Sequence, residues 1–353
     1  MSTRAAFLLA FTLTTSAVLT AEVRWNQISR QPADWYAGDE ARAIATNIVA
    51  YQTVHGGWPK NTDMTKPPSA EFLASQKVDQ RAATIDNGGT TTQLAYLAQV
   101  LTARDDATLR AAFDRGFDYL IQSQYESGGW PQFYPLVKGY YTHITYNDNA
   151  MSNVLTLLRG VAEGRAPYAF TTPAQRTAAA TAVDKGIACI LRTQVKQDGK
   201  LTVWCAQHDE KTFAPAPARN FEPVSLSGQE SVGLTRLLMQ VPQPTPEIIA
   251  AVEGAIAWFQ ANQVRGLRLD ESPGADGKRD RRAVADPAAP PLWARFYELG
   301  TNRPIYIGRD KIIRYDYNEI ERERRVGYAY LGTWPANLLE KEYPRWRAKH
   351  KLP

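Results

Sequence analysis

The sequence predicts a mainly all-α protein: an α/α toroid, or incomplete α/α barrel, of about three helical hairpins with long loops and a few short strands. Two observations carry that expectation. Four segments share an apolar stem that ends in glutamine: 45–52, 116–124, 186–194 and 255–263. Their glutamines are 72, 70 and 69 residues apart (124−52, 194−124 and 263−194), a period that marks a repeat architecture. Within each stem the apolar residues fall at helical spacing, whereas little of the chain alternates with period two.

Each element follows from that repeat. The first three stems run into glycine, as Gly56-Gly57-Trp58-Pro59, Gly128-Gly129-Trp130-Pro131 and Gly199. After each glycine turn comes a loop of varying length and then a second apolar helix, opening at Thr90, Asp148 and Ser227. Thr, Asp and Ser are good N-caps, because their side-chain oxygens accept from the free N–H groups of a first turn. The unit is therefore a helical hairpin with a long connection. A few long repeats of this kind favour closure into a toroid, which would gather the glycine turns and second-helix starts at one end. The tail does not repeat. Residues 270–291, rich in Pro, Gly, Asp and Arg, read as a surface loop; 306–317 admits short strands, and 334–346 closes the chain with a helix.

The N-terminus, one arginine followed by an apolar run from Ala5 to Ala21, reads as a secretory signal peptide over residues 1–21. Residues 22–353 then form a single catalytic domain, exported to the periplasm or the extracellular space. Cys189 and Cys205 are open to two readings, one disulfide or two buried thiols. A formal charge of +5, with basic residues clustered between Lys278 and Arg325, favours an anionic partner. Export makes an acidic polysaccharide a better fit than nucleic acid, and no later stretch is long enough for a membrane span. A monomer is expected.

Three constellations can carry chemistry. Asp86 and Asn87 precede one helix start, and Asp148 precedes the next, 62 residues on (148−86). They are either helix caps or oxygen ligands from two repeats that together hold a hard cation such as calcium. Arg219 lies between Pro217 and Pro223 in a segment that cannot be regular helix. It either faces a groove or simply pairs with Glu222 and stacks on Phe221. Arg295, Arg303 and Arg309 stand among Trp, Phe and Tyr, and an arginine fork suits a carboxylate. Lys60, after the first Gly-Trp-Pro turn, either reaches into the groove or is solvated. The four histidines form neither a triad nor a zinc pair.

These residues resemble the family 10 polysaccharide lyases, the pectate lyases, over nearly the whole chain from Trp25 to Trp346. The resemblance rests on Gly-Gly-Trp-Pro-Lys-Asn (56–61), Thr-Ile-Asp-Asn-Gly (84–88), Gly-Gly-Trp-Pro-Gln-Phe-Tyr-Pro (128–135) and Tyr-Asn-Asp-Asn-Ala-Met (146–151). It continues through Leu-Thr-Val-Trp-Cys-Ala-Gln-His-Asp (201–209), Ala-Arg-Asn-Phe-Glu-Pro-Val-Ser-Leu-Ser-Gly (218–228) and Trp-Ala-Arg-Phe-Tyr-Glu-Leu-Gly-Thr-Asn-Arg-Pro (293–304). It implies an α/α toroid that cleaves α-1,4-linked polygalacturonate by calcium-assisted anti β-elimination. It would make Arg219 the Brønsted base and place Asp86, Asn87 and Asp148 around Ca2+. It would also make Arg295 and Arg309 carboxylate binders, with Arg303 and Lys60 as further candidates. Asn149 is a departure, since a second acid is expected beside Asp148. Arginine is protonated in ordinary surroundings, so the base role requires a cationic neighbourhood that lowers its pKa. Two alternatives use the same scaffold: a glycoside hydrolase with Asp86 and Asp148 as its carboxylate pair, and a non-catalytic pectin-binding protein.

Overall fold

The glutamine period reappears as a repeated hydrogen bond. In the computed structural model, which describes residues 23–79, 81–274 and 276–352, the ends of four stem helices each accept an indole N–H. Trp58 donates to Ile48 at 2.7 Å, Trp130 to Leu120 at 2.8 Å, Trp204 to Ile190 at 2.7 Å and Trp293 to Phe259 at 2.8 Å. All four tryptophans are buried, so every repeat carries one aromatic plug under its turn. Only two of these tryptophans lie in Gly-Trp-Pro; the others, in Val203-Trp204 and Leu292-Trp293, complete the set. Replacing a buried donor leaves its carbonyl unpaired at a cost of about 1–3 kcal/mol. Trp130→Phe is accordingly expected to lower the free energy of unfolding in urea by at least that amount, without changing the m-value.

The stem helices are α1 (Asp39–Tyr51), then, after a short excursion α2 (Ala70–Val78) and the helix α3 (Thr91–Ala103), α4 (Ala107–Gln122). They continue, past α5 (Ala150–Ala162), with α6 (Pro173–Thr193) and, past α7 (Glu230–Met239), with α8 (Pro246–Ala261). The second helices of the repeats are thus α3, α5 and α7. Each packs on the stem that follows it, giving the hairpins α3–α4, α5–α6 and α7–α8, and α5 also touches both α3 and α7. α5 is buried on nearly every side, from Ala150 to Val161, as an inner helix must be. α6 buries only Ala179, Ala182, Val183, Gly186, Cys189, Ile190 and Thr193, the one-sided stripe of an outer helix. The result is a mainly-α toroid.

The glutamines staple this arrangement. Gln52 donates to Gly56 and Ala112, Gln124 to Gly128 and Ala182, and Gln194 to Thr202 and Ala251. One amide thus ties its own turn to the outer helix of the next repeat. Gly56 and Gly128 have φ of 92° and 90°, and a Cβ on either would lie 2.4 or 2.1 Å from a carbonyl of that next helix. Only glycine fits there.

Several expectations need correction. Thr90 precedes α3 as expected but does not cap it: its hydroxyl donates to the Thr84 carbonyl at 2.8 Å and accepts from Trp58 N–H. Asp148 does not cap α5 either; Asn149 is the N-cap residue and makes no side-chain capping bond. Residues 267–273 and 279–285 pair as an antiparallel hairpin rather than forming a loop. Its charges lie mostly at the surface, where Arg279 and Arg281 pair with Glu271, so cross-strand pairing substitutes for the apolar alternation that reads as a strand. Of the two readings open for the cysteines, the second holds: Cys189 and Cys205 are both free and buried. His208 is buried and hydrogen-bonded to Cys205 and Phe213, and burial pushes its imidazole down to about 4. After α9 (Arg322–Gly327), α10 (Tyr343–His350) closes the chain. No described helix is long and apolar enough to cross a membrane. The expected signal peptide lies outside the described residues.

Candidate active site

The repeat also sets which residues correspond. Thr84, Thr145 and Ser227 each donate a backbone N–H to the carbonyl of their repeat's tryptophan, Trp58, Trp130 and Trp204. Counting on three residues gives Asn87, Asp148 and Glu230. Asn87 and Asp148 adopt the same left-handed conformation, with φ of 49° and 50°. Asp148 is therefore the counterpart of Asn87, and Asn147 that of Asp86, a register one residue away from the expected pairing of Asp86 with Asp148. The turns 86–88 and 147–149 pack against each other, and 147–149 also packs on α7. Two of the predicted acidic segments thus do converge.

Their carboxylates are differently placed. Asp86 is 3% exposed and accepts from Lys60 Nζ and, at 2.6 Å, from Gln132 Nε2. Lys60 is neither free in the groove nor merely solvated; it neutralises Asp86. The amide oxygen of Gln132, Oε1, is buried and has no hydrogen-bond partner among the described residues. Asp148 keeps its side chain about one-third exposed. Its Oδ1 accepts from Arg295 Nη2 at 3.2 Å and its Oδ2 from Asn147 Nδ2 at 2.8 Å. Arg295 is buried, and the same Nη2 donates to Asn147 and to Glu230 Oε1 at 2.5 Å. Glu230 is 1% exposed and takes a second bond from the Ser227 hydroxyl. Burial alone would push the Arg295 guanidinium down, but Glu230, Tyr328 and Asp148 outweigh it and hold it above its ordinary value.

Arg295 leads to an aromatic pair. Its guanidinium carbon lies 4.7 Å from the Tyr328 ring centre, and Tyr328 meets Phe221 edge to face at 5.9 Å. Three more arginines approach these two rings: Arg219 over Phe221 at 4.8 Å, Arg309 over Phe221 at 5.3 Å, and Arg324 over both at 4.2 and 4.7 Å. Aromatic faces attract guanidinium groups, and they supplement the carboxylates that meet these arginines: Glu222 at Arg219, Glu230 and Asp148 at Arg295, and Glu323 at Arg309 and, at 3.8 Å, at Arg324. Arg324 is buried, and among the described residues its Nε has no hydrogen-bond partner. Arg309 is exposed and held by Glu323 at 3.0 and 3.1 Å, a surface pair of little net strength. Arg303 stands apart: it stacks on Tyr315 at 3.7 Å.

Arg219 makes both contacts that its neighbours offer. It stacks on Phe221 and forms a bidentate pair with Glu222, Nε to Oε2 at 2.8 Å and Nη2 to Oε1 at 2.5 Å. Tyr328 Oη donates to the same carboxylate at 2.9 Å. Burial pushes Glu222 up, but the Arg219 and Tyr328 donors more than offset it and leave the carboxyl below its ordinary range. The Glu222 bonds in turn push the Arg219 guanidinium above its ordinary value, with burial opposing. The expected cationic neighbourhood is present in Arg309 and Arg324, but the nearest charge is a carboxylate.

A groove of about 360 Å3 opens beside Lys60, lined also by Arg81, Gln132, Phe133, Tyr140 and Tyr141. Tyr140 is close enough to Arg219 and Glu222 for both charges to act on its hydroxyl. Farther along, His143, Asp209 and Glu210 bring ligand atoms within 4.8 Å of one another; the simplest reading is the 3.3 Å pair of His143 with Glu210. Sequence reasoning missed Gln132, Asn147, Glu230, Arg324 and Tyr328. Glu230 lies three residues past the expected helix start at Ser227, and Asn147 stands directly before Asp148; the others carry no local signal.

Residues 52–339 match a family model described as pectic acid lyase. Among solved structures, the chain is similar to a family 10 polysaccharide lyase from Cellvibrio cellulosa, with 35% identity and a TM-score of 0.75, over 90% of this chain and 97% of that one. It is equally similar to a mutant family 10 polysaccharide lyase from the same organism in complex with trigalacturonic acid: 35% identity, TM-score 0.74, 90% of this chain and 98% of that one. Comparison with curated proteins gives no match. With most of its length matched by the family model and a repeat scaffold shared with enzymes of known class, the chain belongs to the pectic acid lyases, the family 10 polysaccharide lyases.

Proposed function

We propose that this polysaccharide lyase is an exported pectate lyase that cleaves α-1,4-linked polygalacturonate by calcium-assisted anti β-elimination, with Arg219 as the Brønsted base. The observation that carries this reading is the arginine cluster on Phe221 and Tyr328, with Arg219 at its half-exposed edge. Such a cluster suits a chain of sugar acids, which presents rings and carboxylates alternately. The ligand of the related Cellvibrio mutant, trigalacturonic acid, is a chain of that kind.

The donor chemistry fits a hard cation. Asn87 and Asp148 offer amide and carboxylate oxygens on adjoining turns at the surface, and oxygen sets of this type suit calcium. Asp86 would join them only by releasing Lys60. When bound, calcium supplies positive charge to a uronate carboxylate and so acidifies the proton beside it. The chain's own residues do the rest. Arg309 exchanges its exposed Glu323 partner for a substrate carboxylate, and Arg295 holds Asp148 in place from below. Arg219, once neutral, takes the proton from C5 while the C4–O4 bond breaks. Because Glu222 favours the charged form of Arg219, activity should rise toward alkaline pH.

Incubation with polygalacturonate and calcium should generate the ultraviolet absorbance of a 4,5-unsaturated non-reducing end. New reducing ends without that absorbance would instead mean hydrolysis, and binding without product would mean a non-catalytic protein. Export rests on the apolar run from Ala5 to Ala21.

A further inference from the structure

We propose that Glu222 is the positioning residue of Arg219: by engaging Nε and Nη2 it presents Nη1 as the nitrogen that exchanges the substrate proton. The inference rests on the reading of Arg219 as the base and says how the chain makes an arginine serve in that role.

The geometry is specific. Arg219 commits Nε at 2.8 Å and Nη2 at 2.5 Å to the two oxygens of one carboxylate, and its backbone N–H adds a third bond at 3.2 Å. Among the described residues Nη1 makes no hydrogen bond, and the side chain is 44% exposed. The carboxylate is itself fixed. Glu222 is 7% exposed, takes a bond from Tyr328, and closes a tight turn in which Ala218 N–H reaches the Glu222 carbonyl and Glu222 N–H the Arg219 carbonyl. A surface pair at this spacing would be worth little. This one is half-buried and held from three sides.

A guanidinium has three nitrogens and five N–H bonds, so deprotonation can produce several tautomers. Bidentate binding to Glu222 needs hydrogens on both Nε and Nη2, and an imine N–H donates more weakly than an amino N–H, so the pair is kept at full strength when the unbonded Nη1 is the position that loses one. In the neutral form the Nη1 lone pair then points away from Glu222. The C5–H bond breaks and its proton forms a new bond to Nη1. The C–H electron pair becomes the C4–C5 double bond, and the C4–O4 pair leaves with O4, which takes a proton from water. A buried carboxylate that fixes the tautomer of a base is the device of the serine-protease triad, here applied to arginine. It exacts a cost, since the carboxylate also favours the protonated state. The groups facing the pair from neighbouring segments are Tyr140, Tyr328 and Tyr330, with Arg309 and Arg324 as the opposing cations.

Orientation and charge are separable by substitution, with kcat and KM followed across pH on polygalacturonate. Glu222→Gln keeps the shape but removes the charge and one acceptor. It should lower kcat on the order of 10²-fold, leave KM within about threefold and move the alkaline bend of log kcat toward lower pH by about one unit or more. Glu222→Asp keeps the charge but is too short for both bonds, so it should lose kcat with the bend close to that of the wild type. A Glu222→Gln profile that is the wild-type curve scaled down, with its bend unmoved, overturns the proposal. So does a Glu222→Asp variant with full kcat, which also decides the matter if Glu222→Gln does not fold. The underlying reading fails separately: wild type would give no unsaturated product, or Arg219→Ala would retain it.

Discussion

Arg219→Lys is expected to lower kcat for elimination by about 10²–10⁴-fold, the range that a positioned acid or base contributes, while KM changes only a few-fold. Lysine keeps the positive charge near Glu222 but lacks the planar fork, so it cannot bond both carboxylate oxygens and present a third nitrogen outward. Folding should be nearly unaffected, because the Arg219 side chain is already half-exposed and the charge survives. Arg219→Ala should abolish activity as well. It also strands Glu222, which is 7% exposed and would keep only the Tyr328 bond, so its stability is the less clean control. Rate measurements at several pH values together with a thermal melt check both. Substantial elimination by either variant would remove Arg219 from the chemistry.

The second large effect concerns the floor of the site. Arg295→Met is expected to lower the free energy of unfolding by about 3–5 kcal/mol, the cost of leaving one partner of a buried ion pair without the other. The stranded group is Glu230, at 1% exposure, with the Ser227 hydroxyl as its remaining partner. Asp148 loses its Arg295 bond at the same time, so elimination should also fall steeply. Adding Glu230→Gln should restore much of the stability, because the uncompensated charge is gone, without restoring activity. Denaturant titrations of the single and double variants, compared with product formation, separate the two consequences. If Arg295→Met alone were as stable as the wild type, the network Asp148–Arg295–Glu230 would not hold the site together.

Helices and repeat were legible because they repeat: four glutamines at nearly constant spacing announce four stems, and the same spacing locates the four indole bonds. The register of the acidic turns was less legible. Thr-Ile-Asp-Asn and Thr-Tyr-Asn-Asp look alike, and aligning the two aspartates places them one residue out. Only the tryptophan carbonyls, each bonded to Thr84 or Thr145, show that Asp148 corresponds to Asn87. Pairings across long separations were not legible at all. Asp86 finds Gln132, Arg295 finds Glu230 and Glu222 finds Tyr328 across 46, 65 and 106 residues, and no local pattern carries such contacts. The charged hairpin 267–285 was hidden for a different reason: its pairing is between opposite charges at the surface, and strand signals are read from apolar alternation.

The indole plugs and glutamine staples have a consequence for how such an enzyme changes over time. From Trp58, Trp130 and Trp204 to the threonine or serine whose backbone N–H donates to the tryptophan carbonyl, the chain runs 26, 15 and 23 residues (84−58, 145−130 and 227−204). Both ends of every excursion are anchored by bonds that the excursion itself does not make. Insertions and deletions there can reshape the groove while Asn87, Asp148 and Glu230 stay in register, provided they spare the site residues that the excursions themselves carry: Lys60, Gln132, Arg219 and Glu222. The anchors thus keep the acidic turns in place while the remaining length of each loop can vary.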